Sequence, residues 1–106
     1  MDDIVEKLRI FRNERDWAQF HNAKDLSIAL NIEASELLEL FLWKKPDEAD
    51  REKVAEELAD VFCYALMLAD KYDFDIEKII NDKIYKNSKK YPVEKSKGNS
   101  LKYTDL

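Results

Sequence analysis

Apolar residues recur at intervals of three and four through most of the chain, and this period predicts α-helices. Four helices are predicted, at about residues 2–16, 22–43, 48–72 and 75–90. Asn22 and Asp75 are the expected N-caps of the second and fourth helices, because short polar side chains accept hydrogen bonds from free backbone N–H groups there. Pro92 is expected to end regular structure. The pattern therefore predicts an all-α protein with one helical domain over residues 1–91 and a polar C-terminal tail over residues 92–106.

The second predicted helix carries carboxylates inside its apolar stripe. Because successive helical residues are rotated by about 100°, Glu33 shares its face with apolar residues, and Glu36 lies about 60° to one side. The apolar residues on this face are Leu26, Ala29, Leu30, Leu37, Leu40 and Phe41. An ionised carboxylate in such a setting is costly unless it is paired or binds a metal.

The third predicted helix repeats this arrangement. Glu57 shares a face with apolar and aromatic residues, and Asp60 lies about 60° away. The residues on this face are Val54, Val61, Tyr64, Ala65 and Leu68. A short loop joins the two helices, so they are expected to be antiparallel neighbours whose acidic pairs face each other at a similar height.

Four carboxylates in a site of low dielectric repel one another, and divalent cations relieve that repulsion. Oxygen ligands suit Mg²⁺, Mn²⁺ or Ca²⁺. A ferritin-like di-iron site would use Glu-x-x-His pairs, whereas the only histidine, His21, lies outside both acidic pairs. Mg²⁺ usually shares its ligand positions with substrate phosphates, so the pattern indicates phosphate-ester or phosphoanhydride chemistry. A solvated acidic face is the ordinary interpretation of one ExxE, but it explains two matched pairs on apolar faces poorly.

Composition narrows the function further. The chain has 106 residues, one Gly and 39% charged residues, which is typical of a single soluble helical domain. Its net charge of −5 argues against a nucleic-acid-binding protein. Cys63 is the only cysteine, so no internal disulfide is possible. Nothing resembles a signal peptide or a membrane span, and a cytoplasmic location is expected.

Aromatic residues flank the acidic pairs. They are Trp17, Phe20, Trp43 and Tyr64. Each one alone is most simply a core residue, but as a set they offer faces on which a nucleobase can stack. His21 is a candidate for hydrogen bonding to a base edge or for capping a chain end.

Five segments, ERDWAQFH, EASELLELFLWK, EELADVFCY, KIYKNSKKYP and KYTDL, together resemble the MazG-like all-α NTP pyrophosphohydrolases. The resemblance runs from about Phe11 to Leu106 and is greatest to the branch of the family that hydrolyses dCTP. It implies a four-helix MazG-like bundle that assembles as a dimer or as a tetrameric dimer of dimers. It also implies Mg²⁺-dependent hydrolysis, with Mn²⁺ as a possible substitute, of a nucleoside triphosphate to the monophosphate and pyrophosphate. The corresponding role is control of the nucleotide pool or house-cleaning of unwanted nucleotides.

The resemblance assigns residues one at a time. The catalytic metal ligands that the resemblance implies are Glu33, Glu36, Glu57 and Asp60. Its nucleoside-binding residues are Trp17, Phe20, His21, Trp43 and Tyr64. Its phosphate-binding residues are Lys83, Asn87 and Lys90. Lys90 stands where the family has arginine, and a lysine keeps the charge but loses the bidentate fork. A histidine found near the first helix of the vertebrate enzymes has no counterpart in this sequence, which bears on base specificity.

The third predicted helix is apolar nearly all round, since Leu58, Phe62 and Leu66 lie away from the Glu57 face. A surface helix of a monomer should have a polar side, so a homo-oligomer is predicted. Two other functional classes are compatible with the sequence. One is a non-catalytic sensor that binds a nucleotide with its metal, and the other is a helical interaction module.

Overall fold

The structure is a computed structural model that describes all 106 residues, and it contains helices and turns without any strand. The helices are α1 (Asp2–Glu14), α2 (Ala23–Glu39), α3 (Arg51–Lys71), α4 (Ile76–Lys90) and α5 (Val93–Ser96), with 3-10 turns at Ala18–Phe20 and Tyr103–Asp105. The chain forms two compact units, Met1–Asp73 and Phe74–Leu106. None of the helices combines the length and apolar character that crossing a membrane requires. The all-α prediction is confirmed.

Both predicted N-caps are confirmed. The side-chain oxygen of Asn22 accepts a hydrogen bond from the backbone N–H of Asp25 at 2.8 Å. Asp75 accepts one from the backbone N–H of Lys78 at 3.0 Å. Each cap satisfies a backbone donor that has no partner within its own helix, and this fixes where α2 and α4 begin.

The predicted end of the second helix at Trp43 is wrong, because α2 ends at Glu39. The backbone N–H of Phe41 donates to the carbonyl of Leu38 at 2.9 Å, a spacing of three residues that tightens the chain into turns. Trp43 then adopts a left-handed conformation with φ 62°. The apolar run FLW continues the helical pattern in the sequence, whereas the backbone has already left the helix.

Two other boundaries differ from the prediction. The third helix starts at Arg51 instead of residue 48, because the Asp50 carboxylate accepts hydrogen bonds from the first backbone N–H groups.

Pro92 does not end regular structure. Its carbonyl accepts a hydrogen bond from the N–H of Ser96 at 2.9 Å, at the start of α5, so the chain has five helices instead of four. Proline is tolerated at a helix start because the N–H it lacks has no helical partner there.

In the first unit, α3 contacts both α1 and α2. The buried apolar side chains are Val5, Leu26, Leu66, Met67 and Ala69. Leu66, which the pattern places away from the Glu57 face, is only 8% exposed, so the chain's own core buries that part of the third helix. Leu58 and Phe62 are exposed, as the pattern predicted.

A charged contact joins α1 to α3. Arg9 Nε donates to Asp70 Oδ1 at 2.9 Å, and Arg9 Nη2 donates to the same oxygen. Arg12 Nη1 lies 3.6 Å from Asp70 Oδ2. These hydrogen bonds from Arg9, and then the charges of both guanidinium groups, lower the pKa of Asp70. The contact therefore holds α1 against the C-terminal end of α3.

Candidate active site

The end of α1 places Trp17 against that helix. Asp16 adopts a left-handed conformation with φ 54°. The N–H of Trp17 then donates to the carbonyl of Arg12 at 3.0 Å. The N–H of Asp16 donates to the carbonyl of Asn13 at 3.1 Å. This pair of bonds is a Schellman motif, which commonly brings an apolar residue beyond the helix back onto it. The Trp17 ring accordingly meets the Phe11 ring edge to face, with 5.8 Å between their centroids.

Three of the predicted acidic residues converge between α2 and α3. Carboxylate oxygens of Glu33, Glu36 and Glu57 all lie within 4.8 Å of one another. Glu33 and Glu57 are half-buried. We call these three residues the carboxylate cluster. It forms because each helix carries its acidic residue on the face that packs against the other helix.

The cluster has too few hydrogen-bond donors for its charge. Oε2 of Glu33 and Oε2 of Glu57 are both buried and have no hydrogen-bond partner. Burial, followed by the neighbouring Glu36, raises the pKa of Glu33 to about 7. Burial and the charge of Glu36 also raise the pKa of Glu57. The charge of Asp60 acts in the same direction on both residues.

A divalent cation fits this donor set. Hard cations such as Mg²⁺, Mn²⁺ and Ca²⁺ prefer carboxylate oxygens, and the cluster offers several at one point. The two buried oxygens without partners are the atoms that a cation would satisfy. The chemistry of the site therefore favours a metal over a solvated acidic surface.

A cavity of about 280 Å³ lies beside the cluster. Four predicted site residues line it, namely Trp17, His21, Asp60 and Tyr64. The remaining lining residues are Leu8, Phe11, Arg12, Cys63 and Met67. We call this cavity the aromatic pocket. Asp60 connects the two features, because it lines the pocket and its charge acts on the carboxylate cluster.

His21 and Tyr64 are neutral hydrogen-bonding groups of the pocket at pH 7. Burial, and then the charges of Arg12 and Lys71, lower the pKa of His21, so the imidazole is uncharged. Its Nδ1 is buried without a hydrogen-bond partner. Burial, and then the charge of Glu33, raise the pKa of Tyr64, so its hydroxyl keeps its proton.

Two predicted nucleoside-binding residues do not line the pocket. Phe20 is 63% exposed, and Trp43 is fully exposed beyond the end of α2. The sequence pattern placed Trp43 on a helix that continues past Glu39, so the early end of α2 accounts for the difference. Their role in substrate binding stays a prediction.

The three predicted phosphate-binding residues all belong to α4, in the second unit. Lys83 borders an open cavity of about 240 Å³. The carbonyl of Asn87 accepts a hydrogen bond from the N–H of Tyr91 at 2.8 Å. Lys90 Nζ lies 4.8 Å from the centre of the Tyr103 ring. Their contact with phosphate stays a prediction.

Arg12 is the polar pocket residue that the sequence interpretation missed. Its side chain is only 18% exposed. It follows Leu8 by four residues, so both lie on one face of α1. A charged residue on an apolar face was the signal that identified Glu33 and Glu57, and the same signal applies to Arg12.

Comparison with known proteins agrees with the resemblance found in the sequence. The MazG-like family model matches residues 28–106. dCTP pyrophosphatase 1 of Bos taurus is 40% identical over an alignment of 114 residues. The alignment covers all of this chain and 68% of the relative. The Homo sapiens protein of that name is 38% identical and is covered to 67%.

A solved structure has the same fold. A pyrophosphatase from Archaeoglobus fulgidus superposes with a TM-score of 0.82 at 35% sequence identity, over 87% of this chain and 92% of that one. The family match covers most of the chain, and the similarity to the curated relatives covers all of it. The chain belongs to the MazG-like family.

Proposed function

We propose that this chain is a nucleoside triphosphate pyrophosphohydrolase that uses Mg²⁺ and converts a (d)NTP and water to the (d)NMP and pyrophosphate. The observation that carries the proposal is the carboxylate cluster, with its two unpartnered buried oxygens, directly beside the aromatic pocket. The names of the relatives, dCTP pyrophosphatase and pyrophosphatase, support the same reaction.

Glu33, Glu36 and Glu57 would hold the cation, with Asp60 as a fourth ligand. When bound, Mg²⁺ supplies charge neutralisation for the phosphates and activates the attacking water. The carboxylates must be ionised to hold it, so metal binding and protonation of Glu33 compete. The attack of water breaks one P–O–P bridge, and the diphosphate leaves with the electron pair of the broken bond.

The aromatic pocket would hold the nucleoside. Trp17 and Tyr64 offer ring faces, and stacking of a base on such a face contributes roughly 1–3 kcal/mol. We propose dCTP-type substrates, because this pocket lies next to the carboxylate cluster and because the curated relatives are named for dCTP. The activity belongs to control of the nucleotide pool in the cytoplasm.

Lys83, Asn87 and Lys90 would contact the phosphates. They are spaced by four and three residues, so they lie on one face of α4. Two ammonium groups and an amide on one stripe of a helix make a surface that suits a polyanion.

A homo-oligomer, either a dimer or a dimer of dimers, completes the proposal. The chain leaves Phe62 58% exposed on α3 and Trp43 fully exposed beyond α2. Large apolar residues that the chain itself leaves exposed are candidates for a surface that another subunit covers.

The test is pyrophosphate release from each common NTP and dNTP, measured with Mg²⁺, with Mn²⁺ and with EDTA. We expect release that depends on the metal, fastest with dCTP, and lost by orders of magnitude in Glu57→Gln. Glu56→Gln is the matched control, because Glu56 is the exposed neighbour on the same helix. Metal-dependent stabilisation by nucleotides without turnover would instead support a sensor, and orthophosphate as the first product would contradict the proposed reaction.

A further inference from the structure

The side chain of Arg15 closes the C-terminal end of α1. Its Nη1 donates to the backbone carbonyl of Phe11 at 3.0 Å. That carbonyl is one of the last four of α1, which have no backbone donor within the helix. A positive charge is also favourable there, because the helix dipole leaves negative charge at a C-terminus. The hydrogen bond therefore holds the guanidinium group of Arg15 beside Phe11.

The same guanidinium group lies over an aromatic ring. Its central carbon is 3.6 Å from the centre of the Phe11 ring and 6.0 Å from the centre of the Trp17 ring. Arginine stacks on aromatic faces, because its charged group is planar and weakly hydrated and is attracted to the negative face of the ring. Phe11 and Trp17 also meet each other edge to face. Arg15 is therefore the third member of a stack that includes both rings.

Both rings line the aromatic pocket, whereas Arg15 does not. Phe11 is 48% exposed and Trp17 is 44% exposed, so the core of the chain covers only part of each ring. A side chain that is half in water keeps more of its rotamer freedom, and fixing it when a ligand binds costs free energy. Arg15 lowers this cost, because it holds the rings from outside the pocket before a ligand binds.

We propose that Arg15 is a positioning residue for nucleoside binding, which acts through Phe11 and Trp17 without touching the nucleotide. This inference rests on the proposed function, which places a nucleoside in the aromatic pocket. A ring that already lies in its stacking position gives a base the full benefit of the contact. Loss of the Arg15 charge removes a cation–π contact at a partly exposed site, which corresponds to a roughly 2- to 5-fold loss of nucleoside affinity.

The test measures the binding of deoxycytidine and of pyrophosphate separately, to the full-length protein in Mg²⁺ buffer. Deoxycytidine reports on the pocket, and pyrophosphate reports on the phosphate contacts. Deoxycytidine is titrated against the NMR resonance of the Trp17 indole N–H, which is identified by its loss in Trp17→Phe, and pyrophosphate binding is measured by calorimetry. The variants are Arg15→Met, which keeps an unbranched apolar side chain, and Arg15→Lys, which keeps the charge. Lys7→Met is the matched control, because Lys7 is an exposed cation of α1.

We expect Arg15→Met to bind deoxycytidine roughly 2- to 5-fold more weakly than wild type and Lys7→Met do. Its affinity for pyrophosphate should equal that of wild type. Arg15→Lys should recover part of the loss, since an ammonium group is also attracted to a ring face. The Trp17 resonance of the free protein should move in Arg15→Met and stay in place in Lys7→Met. In hydrolysis of dCTP, Arg15→Met should raise KM and leave kcat unchanged.

Phe11→Leu tests whether Arg15 acts through the ring. In that background, Arg15→Met should cause no further loss of deoxycytidine affinity, because the ring that Arg15 covers is absent. A second loss as large as the first would show that Arg15 acts by another route and would overturn the inference. Thermal melts establish that each variant is folded, and Arg15→Gln replaces Arg15→Met in every comparison if the latter does not fold.

Other results would also overturn the inference. Unchanged deoxycytidine affinity in Arg15→Met, or a wild-type protein that does not bind deoxycytidine, would remove the positioning role. An equal loss for pyrophosphate, or an equal loss in Lys7→Met, would make Arg15 a charge that attracts phosphate. Each of these outcomes leaves the proposed function in place as long as pyrophosphate is released from dCTP. A protein that releases none, yet binds deoxycytidine in the Arg15-dependent way, would remove the proposed function and leave the role of Arg15.

Discussion

Glu33 lies where burial and acidic neighbours act together. The apolar residues of α2 surround it, and Glu36, Asp60 and Glu57 add negative charge nearby. Its ionised form therefore costs free energy in the folded protein unless a cation is present. A proton and a metal ion are alternative ways to relieve that cost, and near neutral pH the two compete.

The metal-free protein should lose stability as pH rises through this titration. The pKa of Glu33 is raised from 4.5 to about 7, so the folded state binds more protons than the unfolded state between these values. The contribution of Glu33 is fully present below about pH 4.5 and is lost by about pH 7 to 8. Glu57 acts in the same direction, because its pKa is also raised.

The measurement is a series of thermal melts in EDTA from about pH 5 to about pH 8, on wild type and Glu33→Gln. The pKa of His21 is lowered, so that residue destabilises the fold on acidification and opposes the trend. The difference between the two proteins removes this shared contribution. Wild type should lose stability relative to Glu33→Gln as pH rises, and a difference that stays constant would show that Glu33 titrates normally.

Position within an apolar stripe was enough to predict the acidic residues. Glu33 and Glu57 are short enough that a carboxylate on a buried face stays near that face. Arg12 was harder to identify, because a long arginine side chain on an apolar face can carry its charge out to water. Only the structure shows that Arg12 remains at the pocket.

At the scale of elements, the contact of Arg9 and Arg12 with Asp70 fixes α1 on α3. Asp70 is only 13% exposed at its side chain and receives two donors from Arg9. Because α1 supplies Phe11 and Arg12 to the pocket and positions Trp17, this contact also sets the shape of the pocket.

Asp70→Asn should lower the free energy of unfolding by roughly 1–2 kcal/mol, because it removes the negative charge that two guanidinium groups share. Solvent around the partly exposed Arg9 weakens the ion pair and keeps this loss of stability small. Glu6→Gln is the control, because Glu6 also bonds Arg9, at 3.0 Å, but on the surface. That variant should change stability by less than about 0.5 kcal/mol. Urea unfolding measures both, and equal effects would mean that the contact between α1 and α3 adds nothing beyond a surface ion pair.

Helix starts could be predicted from the sequence more accurately than helix ends. Asn22 and Asp75 carry side chains that cap a helix, so the residue type itself marks the boundary. The end of α2 depends on a backbone turn that leads to a left-handed Trp43, a conformation that a bulky residue seldom adopts. Residue type gives no sign of it, and the apolar pattern continues past the true end.

At the scale of the whole molecule, the exposed apolar residues of α3 are the ones that the proposed homo-oligomer would cover. Phe62 and Leu58 on α3 remain exposed, although Leu66 on the same helix is buried in the chain's own core. A second copy of the chain is the simplest cover for such a face, and the small core of a 106-residue chain favours this arrangement.

Light scattering should therefore find a dimer or tetramer of the wild-type protein at micromolar concentration. The Phe62→Glu variant should form smaller species at the same concentration. The added charge would be buried without a partner if Phe62 lies in the interface. A wild-type protein that stays a folded monomer over the whole concentration range would contradict the proposed assembly.

The carboxylate cluster as a metal site is tested most directly by the shift in melting temperature that Mg²⁺ produces in wild type, Glu57→Gln and Glu56→Gln. In EDTA, Glu57→Gln should be as stable as wild type or more stable, because it removes one of several like charges. Mg²⁺ should stabilise wild type and Glu56→Gln by mass action and should stabilise Glu57→Gln much less. A Glu57→Gln protein that is markedly less stable in EDTA, yet gains as much from Mg²⁺ as wild type does, would contradict the metal site.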